Sequence, residues 1–133
     1  MKKVSITLTL IFFSCTSPSE CPELIYDSLD RITYDTDGNL YTGRCITYEG
    51  NTKRSVQQYL GGNDYGVWTF YYPEGQIETK GRFNKDGKRV GTWKYFYNNG
   101  KLKQVSKYSK NGDRKGKWIE YNMEGEKVSE INY

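Results

Sequence analysis

The chain has 133 residues, 35% apolar and 16% aromatic, with a formal charge of +4 and no histidine. That length holds one domain, and the low apolar share excludes a thick two-layer core. Thirteen of the aromatic residues are tyrosines, which bury the ring while the hydroxyl stays wet. This suits a thin structure with half-covered faces, and the regular spacing of Trp, Tyr, Phe, Ile and Val argues against disorder.

Taken in chain order, Lys2 and Lys3 precede a mostly apolar run from Val4 to Phe13. The run is too short to span a bilayer, which needs about 20 residues, and has the anatomy of an export signal. It ends in Phe12-Phe13-Ser14-Cys15, which resembles the lipobox of bacterial lipoproteins. That resemblance implies cleavage before Cys15, lipidation of Cys15, and a cell-envelope protein anchored on the periplasmic or surface side of a membrane. An ordinary signal with an incidental Cys, or an uncleaved anchor, are the other readings. Residues 1–14 are then the lipoprotein signal peptide, 15–30 a tether and N-terminal segment, and 31–133 a repeat domain. Cys21 and Cys45 remain as an even pair. In an oxidising compartment they can form a disulfide; two unpaired thiols are the alternative. Removal of Lys2 and Lys3 from 20 basic groups leaves 18 against 16 acidic ones. A near-neutral mature chain gives no general attraction to nucleic acid.

Pro18 and Pro22 oppose regular structure in the tether, and residues 23–30 have room for one helical turn. From there the chain repeats. Gly43, Gly66, Gly91 and Gly116 open units 23, 25 and 25 residues apart. Trp68, Trp93 and Trp118 follow their glycines by two residues, with Cys45 in the first unit. Tyr71, Phe96 and Tyr121, then Gly75, Gly100 and Gly125, then Phe83, Tyr108 and Tyr133 continue the alignment. Such periods signal repeat architectures. Each unit reads as a β-hairpin. Pro73 presets the first corner of a type I turn, and Gly75 takes the left-handed place of a G1 bulge. In this register Tyr71 faces Ile77, Trp68 faces Lys80, Phe96 faces Leu102 and Trp93 faces Val105. Longer loops, Asn84–Val90 and Ser109–Lys115, join the hairpins. No hairpin is stable alone, so the prediction is an all-β, single-layer antiparallel meander of tandem hairpins.

The pattern G-x-W-x-x-Y-x-x-x-G resembles the variant form of the MORN repeat, found in bacterial YwqK-type antitoxin-like proteins. The resemblance covers residues 43–133 and implies a one-layer meander with a binding role. Because strand residues alternate sides, the register above sets Trp68, Phe70, Tyr72, Trp93, Tyr95, Tyr97 and Trp118 on one face with Lys80 and Arg82. That face is either a self-shielding ring surface or a ligand surface, since Trp, Tyr and Arg dominate binding hot spots. The opposite face, with Phe83, Tyr108, Tyr133, Gly81 and Ser106, reads as the tighter, structural one. Lys88, Arg89, Arg114 and Lys115 form a basic rim, and Glu49, Glu74 and Glu124 an acidic one. These are solvated turns, or they steer an acidic partner.

Without histidine there is no Ser-His or Cys-His nucleophile and no His metal site. No catalytic residue, cofactor, metal or nucleic acid is expected. The leading expectation is a non-catalytic envelope lipoprotein whose repeats form a protein–protein interaction scaffold, antitoxin- or immunity-like in form. The alternative is glycan or peptidoglycan binding through the Trp/Tyr face.

Overall fold

The computed structural model describes residues 21–133, so the expected signal peptide and Cys15 lie outside the described residues. Ten strands follow one another: β1 Leu24–Asp27, β2 Ile32–Asp35, β3 Gly43–Glu49, β4 Thr52–Leu60, β5 Asn63–Tyr71, β6 Ile77–Phe83, β7 Arg89–Phe96, β8 Leu102–Tyr108, β9 Lys117–Tyr121 and β10 Lys127–Asn132. Strands β3 to β10 form one eight-stranded antiparallel sheet in which every strand lies beside its sequence neighbour. This is the expected all-β meander of tandem hairpins. Residues 24–27, expected to fit a helical turn, are strand β1, paired with β2. The turn of that hairpin spans the expected boundary between 30 and 31.

The turns are simpler than the sequence suggested. Gly75 N–H donates to the Tyr72 carbonyl and Tyr72 N–H to the Gln76 carbonyl. With Gly75 at φ 92°, this is the anticipated type I turn with a G1 bulge. The segments expected as longer loops make the same turn. Gly87 donates to Asn84 and Asn84 to Lys88; Gly112 donates to Ser109 and Ser109 to Asp113. Asn84 Oδ1 and Ser109 Oγ each accept two further backbone N–H groups from their own loops. One three-residue turn therefore serves both ends of the repeat.

Two bulges per unit control what faces what. The first follows the turn. Tyr71 pairs with Ile77 but Phe70 with Thr79, which leaves Glu78 extra. Lys103 is the corresponding extra residue in β8, Val128 in β10 and Arg54 in β4. One added residue shifts every later side chain to the other face. Trp68 consequently faces Gly81, and Trp93 faces Ser106, not the expected Lys80 and Val105. The correction moves Lys80 and Arg82 away from the tryptophans. It brings Phe83, Tyr108, Gly81 and Ser106 onto the tryptophan face.

The second bulge is the G-x-W triplet. Between the pairs Lys80↔Lys94 and Arg82↔Val90, Gly81 alone lies opposite Gly91, Thr92 and Trp93. Gln57 stands likewise opposite Gly66, Val67 and Trp68. Gly66, Gly91 and Gly116 adopt φ of 67°, 68° and 59°, in the left-handed region that glycine enters without penalty. Gly43, with no preceding hairpin in the sheet to bow against, is absent from that group. Each triplet swings its indole back over the preceding hairpin. Trp68, Trp93 and Trp118 donate Nε1–H to the carbonyls of Gln58, Arg82 and Lys107 at 2.9, 3.2 and 2.9 Å. A buried indole N–H needs such a partner.

The core is thus a line of rings on one face. Phe83 meets Trp68 and Trp93 edge-on, each at 5.0 Å between centroids. Tyr59 meets Trp68 at 5.4 Å, and Tyr108 meets Trp118 at 5.2 Å. Trp93 is 2% exposed and Ser106 1%. The tryptophan face is the structural one, contrary to expectation, because the turn bulge supplies it with both partner rings and small residues. A Cβ on Gly81 would collide with the indole of Trp93. Gly81→Leu is expected to lower stability by about 3 kcal/mol through overpacking, and Ser106→Gly by under about 1 kcal/mol. Urea unfolding followed by tryptophan fluorescence measures both, and an unshifted midpoint for Gly81→Leu would remove the indole from that seat.

Candidate functional site

The ring face is capped from the basic rim. Arg89 places its guanidinium 4.4 Å from the Trp93 ring centre and donates to the Tyr95 hydroxyl at 3.1 Å. Twenty-five positions on, Arg114 lies 4.9 Å from Trp118 and donates to the Tyr133 hydroxyl at 2.9 Å. Of the expected basic rim, then, Arg89 and Arg114 are indole covers. Lys115 N–H donates to the Lys107 carbonyl. Lys88 lines a shallow recess with Asp30, Asp64 and Asp86. Two of the four rim cations are thus engaged with rings, while Lys88 and Lys115 are exposed.

The matching position in the second unit is Asp64, two residues before Gly66. It leaves Trp68 without an arginine of its own unit. Arg31, from the β1–β2 turn, approaches this place with φ 58°, the left-handed region. Arg31, Asp64 and Arg89 ring a hollow of about 310 Å³ over Trp68, Phe70, Thr79, Phe83, Trp93 and Tyr95. Burial pushes the Asp64 carboxyl above its usual range, with Arg31 and Arg89 partly opposing the shift. Of the expected binding residues, Trp68, Phe70, Trp93 and Tyr95 line this hollow. Tyr72 and Tyr97 are used differently. Their hydroxyls donate to the carbonyls of Phe96 and Tyr121 at 2.7 and 2.8 Å, tying each hairpin tip to the next. Cys45, at the tryptophan position of the first unit, is joined to Cys21 by a disulfide.

Lys80 and Arg82 lie on the opposite face. There they border a hollow of about 390 Å³ with Lys94, Thr92 and the apolar side chains of Val67, Ile77, Val90 and Phe96. Lys94, Val90 and Thr92 were not singled out from sequence. Their grouping with Lys80 depends on both bulges. The usable signal was Gly81 and Ser106, two small residues at one repeat position, Gly81 seated beneath the next unit's indole and Ser106 facing Trp93 across its own hairpin.

Tyr59 shows how the ring line acts on a titrating group. Burial, with Asp64 and Tyr41 adding, pushes its phenol up to about 12. The unfolded chain releases that proton near pH 10. The stabilisation is therefore complete below pH 10 and is lost as pH rises from 10 to 12. Subtracting the stability–pH curve of Tyr59→Phe from that of the parent chain should isolate this loss. A flat difference over that interval would show Tyr59 to be solvated.

Residues 64–85 and 89–112 match the family described as MORN repeat variant. No curated protein and no solved structure matches the chain. The two matched segments are the hairpins of β5–β6 and β7–β8, each opened by a G-x-W bulge. The chain thus carries two tandem repeats of the MORN variant form at its centre.

Proposed function

We propose that this protein is a non-catalytic, lipid-anchored envelope protein whose hairpin repeats form a protein–protein interaction scaffold. MORN repeats are commonly protein- or membrane-interaction units. The observation that carries the reading is the division of labour between the two faces. The rings are engaged in inter-repeat packing, while Lys80, Arg82 and Lys94 stand exposed around apolar side chains opposite. An exposed mixture of cations and apolar groups is suited to recognition. Lipidation at Cys15 would hold the sheet at the membrane, on the periplasmic or surface side. An immunity-like role, as in YwqK-type antitoxin-like relatives of the repeat, is one form such a scaffold takes. Glycan binding by the tryptophan row is less favoured, because stacking needs an open ring face and Trp93 is 2% exposed.

Two measurements test the reading. The full chain should fractionate with membranes, and Cys15→Ser should release it or leave it unprocessed. Immobilised chain should then capture a defined protein from detergent-solubilised envelope and leave isolated cell-wall sacculi unbound. Retention by sacculi without protein capture would replace the scaffold with the glycan reading.

A further inference from the structure

Lys80 and Lys94 are direct cross-strand partners in the β6–β7 pair. Both side chains point away from the tryptophans and line the same hollow. Like charges placed directly opposite one another on a sheet destabilise it, and Arg82 adds a third cation two residues from Lys80. No carboxylate among the described residues pairs with them. Across β4 to β8 the carboxylates are Asp64, on the ring face, and Glu78, at the turn bulge. Among the described residues the ion pairs involve Arg54, Lys117 and Lys127, and none involves Lys80, Arg82 or Lys94. A cationic cluster left without an ion pair, at a cost in stability, is arranged for an anion from outside.

The floor narrows the class of anion. Val67, Ile77, Val90 and Phe96 give the hollow an apolar lining, which a small inorganic anion would leave uncovered. Lys80 and Arg82 alternate along one strand, so their Cα atoms lie about 6.7 Å apart. That is also the spacing of alternate side chains in an extended peptide. Lys94 lies beside Lys80 on the next strand, where it can share a carboxylate. From this geometry we propose that the hollow on the face opposite the tryptophans docks an extended acidic segment of a protein partner, with carboxylates at alternate positions and apolar side chains between. The proposal rests on the scaffold reading and names its site and the partner's chemistry.

The test uses the full chain carrying Cys15→Ser and a synthetic eight-residue peptide alternating glutamate with leucine. A lysine–leucine peptide and anionic phosphatidylglycerol vesicles are the comparisons. The acidic peptide should shift the amide resonances of Lys80, Arg82, Thr92 and Lys94, and the basic peptide should leave them in place. Lys94→Glu should weaken acidic-peptide binding at least tenfold. The same substitution turns a like-charge pair into an opposite one, and should raise Tm by roughly 2–5 °C. A gain of stability together with a loss of binding is an outcome that mere misfolding does not produce. The proposal is overturned if Lys94→Glu keeps its affinity or lowers Tm. It is likewise overturned if the shifts fall around Trp68, or if vesicles bind through Lys80 and Lys94 while the peptide does not. Capture of an envelope protein by Lys94→Glu as well as by the parent would fail this site and leave the scaffold standing. Capture by neither Lys94→Glu nor the parent would remove the scaffold itself.

Discussion

The fold depends on an indole crossing from one hairpin to the one before it. A hairpin has too little apolar surface to persist alone, so a meander needs a device that makes neighbouring hairpins cooperate. Here the device is the G-x-W triplet. Its glycine takes a left-handed turn, three residues bow out opposite one, and the indole folds back over that single residue. The N–H then closes onto a carbonyl of the earlier hairpin, where the bulge interrupts the ladder. Glycine, tryptophan and the residue beneath are thus one interaction spread over two repeats. In this nearest-neighbour arrangement each unit stabilises the next. Strain at one seat is therefore felt by two hairpins.

The period, the hairpins and their order could be read from the spacing of Gly, Trp and aromatic residues, because those landmarks have local causes. Gly75 and Gly100 mark turns whose geometry belongs to a few adjacent residues. The faces could not be read in the same way. A bulge has no compositional mark: Arg54, Glu78, Lys103 and Val128 occupy one structural place and share no chemistry. Since side chains alternate with period two, missing that one residue exchanged the whole returning strand. The error joined Lys80 and Arg82 to the tryptophans and separated Phe83 from them. The candidate site was accordingly visible only as residue types. Its actual membership, Lys80 with Lys94 and Val90, arises from two bulges acting in sequence.

Where the repeat varies, the variation follows the same constraint. The first unit has no hairpin before it in the sheet. Its opening glycine is not left-handed, and its tryptophan position is Cys45, bonded to Cys21. A covalent link fixes the segment beside this strand where an indole has nothing to cover. In the last unit the position held by Gly81 and Ser106 is Ile131, which is exposed. Gln57 holds the same place beneath Trp68, so the position varies most at the two ends of the repeat series. Asp64 departs in another way. It replaces the arginine that covers Trp93 and Trp118, and the turn of the β1–β2 hairpin brings Arg31 toward the space left over.

A one-layer sheet must also decide which side supplies its stability. With both faces wet, apolar groups split evenly between them would give neither side a continuous core. The turn bulge resolves this by gathering Trp68, Phe83 and Trp93 into a single buried cluster, with Tyr59 and Tyr108 against it. The tryptophan face then determines whether neighbouring units cohere, and its residues are constrained by one another. The opposite face carries little of that packing. It can hold Lys80 directly beside Lys94 because the indoles across the sheet offset the repulsion. The burial of the rings is thus what frees the other side to keep charges that folding alone would not select.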